Sequence, residues 1–569
     1  MRSNKIVLKL ALAFSILLGL VIFGMLLANP KPAYASAPTP LALPTGPDRY
    51  TSMTLDITMY EWWLAAWRDN NIYCSFFVDH EGLPTDVEID SACGTVLYTD
   101  WINNSTPCAE KDASTCPGYY FIQVSSKPAK REVTVKLPPP DVRVSLEGCE
   151  PDDTGWCTHQ PNLVLSGEEP LPNESISSVQ GFAGTDPFSC KGNQCIFRLS
   201  GTSATGIRIK FWSNSTYGDS SKVFEALLRV INDGDKGNRL TPRWYVDVIS
   251  SQWTGAPVAS CAATWESFPP TDGLPQWLIT PASSDDLKSN IPYNYLAANL
   301  IIQGITNASE CPNGGLLSDG SVNACGLKTA SGDVEEWQNR FDQLIFKVAK
   351  DDDVPAQLLK NIFSHESQFW PGVFRNGTDV GLGQMTDGGA DTTLLWNPSF
   401  YQQFCPLVLN ESVCQSKGFA NLSSASQALL RGALVGSVDA SCADCPLGLD
   451  LSRADFSVSI FAHSLLANCE QAGKIVKNVT SVMPGQKVDY ETLWRFTLVN
   501  YNAGSGCLAD ALTQAYDASS PDSLSWDRVS GALDVVCPGA ADYVEKVIRD
   551  PDPDQPLPEP VVVPGETAG

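Results

Sequence analysis

Positive charge is scarce in this chain. Lys and Arg number 38 against 64 Asp and Glu, a formal net charge of −26, and the deficit deepens if Arg2, Lys5, Lys9 and Lys31 leave with a cleaved leader. So acidic a surface is repelled by phosphate backbones, which argues against nucleic acid as a partner. It is repelled by anionic wall polymers too, so any sugar recognition has to come from a neutral, aromatic-lined cleft rather than from field steering. Histidine is scarcer still, at four residues. Asp79-His80-Glu81 is accounted for as a solvated turn. Cys442-Ala-Asp-Cys445 has metal-knuckle or redox spacing, but no second Cys-x-x-Cys answers it, so neither a metal nor a cofactor is expected. There is no phosphate-binding glycine loop, no internal repeat and, beyond the leader, no membrane-length apolar run. The Ser364-His365 pair is adjacent in sequence, and neighbours on a helix do not face each other, so it is no hydrolase dyad.

What is present begins with an export signal. Arg2, Lys5 and Lys9 form a positive flank, residues 10–28 are almost unbroken apolar sequence, and Ala33-Tyr34-Ala35 or Ala35-Ser36-Ala37 fits a small-residue cleavage site. Residues 1–35 are a signal peptide or, because an apolar run of about 20 residues nearly spans a bilayer, a membrane anchor through 10–28. Either way the chain is extracytoplasmic, secreted or anchored at the cell surface. Its 18 cysteines then predict disulfides, since that compartment is oxidising. Cys74/Cys93, Cys108/Cys116, Cys149/Cys157, Cys190/Cys195 and Cys405/Cys414 are close enough to close local loops. Nine cysteines precede Pro275 and nine follow it, so full oxidation needs at least one bridge across that point. Cys261 with Cys311 is the expected one. The sequence leaves the oligomeric state open.

At 569 residues the chain exceeds a single core. A Pro-rich linker (36–49) precedes a β-rich module at 50–137. Within it, Tyr60, Trp63, Leu64 and Trp67 share the i, i+3, i+4, i+7 spacing of a packed helix face, a sugar platform being the alternative use of the tryptophans, and strands are expected at 72–78 and 119–124. Leu137-Pro-Pro-Pro140 is a stiff joint. From 141 to 232 the pattern alternates with period two: Val142, Val144 and Leu146 share one face, as do Leu163 and Leu165, while Ile207, Ile209 and Phe211 oppose Arg208 and Lys210. Short strands between Gly, Ser, Asn and Pro turns suggest a sandwich that resembles, in pattern, the Ig-like modules of exported bacterial proteins. Residues 233–238 hint at a calcium loop but lack its closing Glu. A connecting region (233–330) holds a strand at 244–249 and the first helical pattern near Tyr293. The domain at 331–549 is mainly helical, opening with a cap at 331–333 and a face of Trp337, Phe341, Leu344 and Ile345. An insertion at about 391–455 carries Trp396, Phe400 and Tyr401 and is pinned by cysteines at 405, 414, 442, 445 and 469. The acidic, Pro-rich tail at 550–569 is expected to be disordered.

The chain is organised around residues 354–386. Pro355 suits a first helical turn, with Asp351, Asp352 and Asp353 at the positive end of the dipole. Leu358, Leu359, Ile362 and Phe363 mark one apolar face, and Glu366, seven residues after Leu359, projects from it. The helix should stop near Phe369, ahead of Pro371 and Gly372. A carboxyl held against apolar neighbours loses hydration and keeps its proton to higher pH, which suits it to protonate a leaving oxygen. On periodicity alone, a buried Glu paired with Arg or capping a backbone amide fits as well.

Four segments in order carry a family resemblance. Residues 341–369 resemble the first two helices of the lytic transglycosylase domain of the lysozyme-like superfamily. DVGLGQMT (379–386) resembles its Gly-Leu-Met-Gln loop, NYNAGSG (500–506) its Tyr-Asn-Ala-Gly motif, and ADYVEKVI (541–548) its closing Tyr-Val helix. The fold class implied is multidomain, with β-rich N-terminal modules including one Ig-like sandwich, followed by a mainly α-helical lysozyme-like domain. Carried over residue by residue, the resemblance makes Glu366 the catalytic acid and Ser367 the neighbour that helps to orient it. It makes Gln384, Tyr501, Asn502 and Tyr543 substrate-binding, with no metal and no cofactor. Gly383 stands where the family has Met, so a wall of the cleft is missing or supplied elsewhere. The resemblance implies an enzyme acting on peptidoglycan glycan strands, breaking the MurNAc–GlcNAc β-1,4 bond. One glutamate protonates the leaving oxygen, then takes a proton from the muramic 6-hydroxyl to leave a 1,6-anhydro product. Asp379, Asp387 and Asp391 keep a hydrolytic, lysozyme-like muramidase open as the alternative, and Gly383, Asp379 and the insertion keep open a non-catalytic glycan-binding surface protein.

Overall fold

The computed structural model describes residues 48–104, 115–149, 155–236, 242–255, 258–374, 379–520 and 522–549. The leader, most of the Pro-rich linker, the tail and Cys108 lie outside them. A β-rich N-terminal region is followed by a mostly helical C-terminal one. The chain divides into two compact units, Met1–Pro139 with Thr216–Lys222, and Pro140–Ser215 with Val223–Gly569.

The first unit is a three-stranded antiparallel sheet in the order β2-β1-β3: β1 (Tyr50–Ala66), β2 (Ile72–Val78) and β3 (Tyr119–Lys136). The helix expected around Tyr60 to Trp67 is instead the end of β1. Period two governs the burial, with Trp62, Leu64 and Ala66 at 7%, 0% and 1% exposure facing the small core. Trp63 lies on the other face, its indole donating to Glu61. Because both faces of this strand are apolar, residues three and four apart are apolar by composition and mimic a helix. Two short helices, Asp86–Cys93 and Thr95–Asn103, follow β2. The first opens on a capping box of Thr85 and Glu88 and is stapled to β2 by Cys74–Cys93.

The second unit opens with nine strands: β4 (Asp141–Glu147), β5 (Trp156–Cys157), β6 (Asn162–Glu168), β7 (Ile176–Ala183), β8 (Asp186–Lys191), β9 (Gln194–Arg198), β10 (Ile207–Ser215), β11 (Phe224–Asn232) and β12 (Trp244–Ile249). They form one sheet ordered β5-β12-β11-β10-β7-β8 and another ordered β4-β6-β9. The alternation places Val142, Val144, Leu163, Leu165, Ile209 and Phe211 in one shared core. The expected boundary at 232 falls short, since β12 pairs with β11 along its whole length. In the hinted calcium loop, the Asp233 carboxylate accepts from the Arg243 backbone N–H and Nε at 2.6 and 3.1 Å, and residues 237–238 lie outside the described residues.

The region expected to connect sandwich and helices belongs to the helical body. Cys261, Trp277, Leu278 and Leu296 share one core with residues as distant as Val547. Its helix Ala324–Asn339 begins before the expected cap at 331–333, because Asn323 accepts from Gly326 N–H and caps it earlier. The insertion holds the helices Pro398–Val408, Glu411–Ser416 and Ser424–Val438, with Cys405–Cys414 bridged. Cys469 leaves that group: the bridge across Pro275 is Cys261–Cys469, separated by 208 residues, and Cys311 pairs with Cys325. Cys442 pairs with Cys445. Disulfides throughout the described residues fit an oxidising, extracytoplasmic setting. Among the described residues no helix is long and apolar enough to cross a membrane.

Candidate functional site

The Glu366 helix runs Ala356–Ser367, with Pro355 just outside at its N-cap. Leu358, Leu359, Ile362 and Phe363 are at most 1% exposed, and Glu366 follows them in the last turn at 8%. Gln368 and Phe369 take left-handed conformations at φ 48° and 63°, ending the helix where Pro371 required it. Gln368 Oε1 then accepts from Tyr295 and Leu296 N–H at 2.8 and 3.3 Å, tying this helix end to the start of the next-door helix Asn294–Ile302.

Three further segments meet that last turn. After β13 (Val373–Phe374) and β14 (Asp379–Val380), the chain makes a tight loop closed by Met385 N–H donating to Val380 O at 2.8 Å. Gln384 sits in this loop at φ 54°, a conformation uncommon for a residue with a side chain and one that collects at functional sites. Its Nε2 donates to Gly381 O at 2.8 Å, while its Oε1 is buried without a partner. Tyr501 and Asn502 lie in the helix Tyr490–Ala515, just before it breaks at Gly504 (φ 83°). Tyr543 comes from the closing helix Ala540–Ile548, and its hydroxyl donates to Glu366 Oε1 at 2.7 Å across 177 residues. That helix is fixed by Asn361 Nδ2 donating to Val547 O at 2.9 Å and by Arg495 and Trp526 both donating to Glu545.

Glu366, Asp379, Gln384, Tyr501 and Asn502 share the lining of a cleft of about 120 Å³. Ser367 and Tyr543 are not on its lining. Ser367 is fully buried, and its hydroxyl donates to Phe363 O and Leu382 O at 3.2 and 2.7 Å. It therefore clamps the Gln384 loop to the Glu366 helix rather than touching the carboxyl. Burial and then the charge of Glu366 push Tyr501 well above its usual range, so it stays neutral. Its hydroxyl donates to Gly383 O at 2.5 Å. Asp387 and Asp391 lie in the helix after the loop and do not line the cleft; Asp391 is paired with Arg431.

Gly383 is explained by its surroundings. A Cβ there would meet the Phe461 ring at 2.5 Å and the Tyr501 hydroxyl at 2.6 Å. Phe461, from the long helix Leu451–Thr480, fills that wall of the cleft instead. Ser464 and Asn468 of the same helix complete the floor. Sequence reasoning missed all three. The available signal was a pair of polar residues four apart on an otherwise apolar helix face. Asn468 is held by Asn500, whose Nδ2 donates to Asn468 Oδ1 at 2.8 Å and Gln471 Oε1 at 2.9 Å.

Compared with protein-family models, curated proteins and solved structures, the chain matches none.

Proposed function

We propose that the chain is an exported peptidoglycan-cleaving enzyme whose helical region is a lysozyme-like lytic transglycosylase domain, with the sandwich as an Ig-like accessory module. It breaks the MurNAc–GlcNAc β-1,4 bond with Glu366 as acid and then base, and the product closes as a 1,6-anhydro sugar. The observation that carries this is convergence. Four segments that resemble the family's motifs, spread from 341 to 548, meet around one buried carboxyl, and three of them contribute to one cleft.

The physical case rests on opposing influences at Glu366. Burial and the negative end of its own helix dipole both disfavour the carboxylate. The Tyr543 hydroxyl favours it and fixes the carboxyl's orientation by holding Oε1. Such a group can hold a proton for the bridging oxygen and still be stabilised after giving it up. Tyr501, kept neutral, and Gln384, with a buried acceptor unmet by the protein, suit hydroxyl- and amide-bearing sugars. Asp379 lines the same cleft and favours a second reading, hydrolysis with water activated by a second carboxylate.

Digestion of cell-wall sacculi separates the two. Anhydro-muropeptides detected by mass spectrometry are the expected product; reducing-end products alone would make the enzyme a hydrolase. Glycan binding without turnover would make it a binding protein.

A further inference from the structure

We infer that Cys442–Cys445 is a reducible clasp whose opening loosens the hairpin wall of the Glu366 cleft. The other bridges among the described residues each join separate stretches of the fold, from Cys190–Cys195 between two strands to Cys261–Cys469 across 208 residues. When such a bond is cut, packing still holds its sulfurs together. Cys442 and Cys445 lie within one turn at a separation of three residues. A loop that short removes little freedom from the unfolded chain, so global stability does not account for the bond. The turn is also open to a reagent. Both cysteines are half-buried, and Ser441, Ala443, Asp444 and Pro446 around them are exposed. Its backbone includes Leu447 at φ 68°, a conformation unfavourable for a branched side chain, held by Cys442 N–H donating to Gly448 O at 2.9 Å.

The turn leans on the cleft through a short chain of contacts. Ser441 Oγ accepts from Val373 N–H of β13 at 3.1 Å, and Ala440 N–H donates to Pro371 O at 3.2 Å. β13 pairs with β14, which carries Asp379 into the cleft. Gly381, at the head of the Gln384 loop, is packed so tightly on Val438 O that a Cβ would approach it to 2.6 Å. Residues 438–441 thus brace the same loop that presents Gln384.

The chemistry is thiol–disulfide exchange with a dithiol. One thiolate of the reductant attacks a sulfur of the bond, forming a mixed disulfide and releasing the other cysteine as a thiol. The reductant's second thiol then displaces the protein sulfur. Two electrons and two protons pass to Cys442 and Cys445, and the reductant leaves as its own disulfide.

Stepwise dithiothreitol titration of the full chain, with differential alkylation read by mass spectrometry, tests the assignment. Cys442 and Cys445 should be alkylated at a reductant concentration on the order of tenfold below that needed for the other bridges. At that point amide exchange over 371–374 and 379–385 should accelerate on the order of tenfold, with the Tyr490–Ala515 helix unchanged. The double variant Cys442→Ser/Cys445→Ser should show the same exchange without reductant; if it fails to fold, the partly reduced wild type supplies the measurement. Simultaneous or later reduction of this bond, or unchanged exchange over 371–374 and 379–385 once it is open, would overturn the inference. An accompanying fall in sacculus turnover rests on the proposed function; alkylation and exchange do not, so the two failures are distinguishable.

Discussion

The helix Ala356–Ser367 buries an ionisable side chain in its middle and another in its last turn, and the two places do it differently. At Lys360, 3% exposed, the ammonium donates to Leu287 O, Asn339 Oδ1 and Asp342 Oδ1 at 2.5, 3.0 and 2.7 Å. Burial pulls Lys360 down and pushes Asp342 up, each towards its neutral form and against the partner's attraction. Two turns later Glu366 is buried to a similar depth, but it takes a phenol hydroxyl and borders a cleft. The first arrangement closes an ion pair inside the core. The second keeps a carboxyl on the lining of a cleft. Depth of burial is nearly the same at the two places; what differs is that Lys360 closes on Asp342 while Glu366 accepts from Tyr543 and borders the cleft.

That contrast can be broken from either place. Glu366→Gln should lower glycan turnover by roughly 10²–10⁴-fold, the scale of a lost general acid–base group, while thermal melting stays within a few degrees of wild type. Lys360→Met should do the reverse. It leaves Asp342 buried without its cation and should cost about 3–5 kcal/mol by denaturant unfolding. The double change Lys360→Met/Asp342→Leu should recover most of that loss, because no unpaired charge remains. Equal destabilisation by the Glu366 and Lys360 changes would erase the distinction.

The sandwich supplies a third buried acid as a control. Asp247 is paired with Arg229, yet burial outweighs the guanidinium and lifts it to about 6. The folded state therefore binds this proton more tightly than the unfolded chain does. Its contribution to stability is full below the ordinary Asp range, is lost as pH rises through about 6, and is constant above that. Melting temperature should fall between about pH 4 and pH 6, and Asp247→Asn should flatten that segment of the profile. The smallest effect is expected at the cleft wall. Gly383→Met restores the resembled family's residue but drives it into Phe461 and Tyr501, at a cost of about 1–3 kcal/mol. Gly383→Met/Phe461→Ala should regain part of the lost stability, measured by thermal melting.

How much of this was legible in sequence follows from the range of the forces involved. Local signals served well. The strands Ile72–Val78 and Trp244–Ile249, the short-loop disulfides and the end of the Glu366 helix depend on residues no more than 19 positions apart. Tyr60 to Trp67 misled because a strand with two apolar faces satisfies a helical template by composition. Cys261–Cys469 was out of reach because nothing near Cys261 encodes a partner 208 residues away. The candidate site divides the same way. Glu366, Gln384, Tyr501, Asn502 and Tyr543 sit in recognisable motifs, and the structure brings all five into one neighbourhood. Phe461, Ser464 and Asn468 carry no motif, since a helix face that lines a cleft has the same periodicity as one that lines a core. Ser367 sits where the motif placed it but takes a different part, holding the loop in place from inside the core.

The most direct test is a crystal structure of Glu366→Gln with a peptidoglycan oligosaccharide bound. The glycan should run past Gln384, Tyr501 and Asn502 with one bridging oxygen at hydrogen-bonding distance, about 2.6–3.2 Å, from the side chain at 366. A glycan seated elsewhere on the molecule, or one whose glycosidic oxygens all lie out of reach of that side chain, would contradict the account.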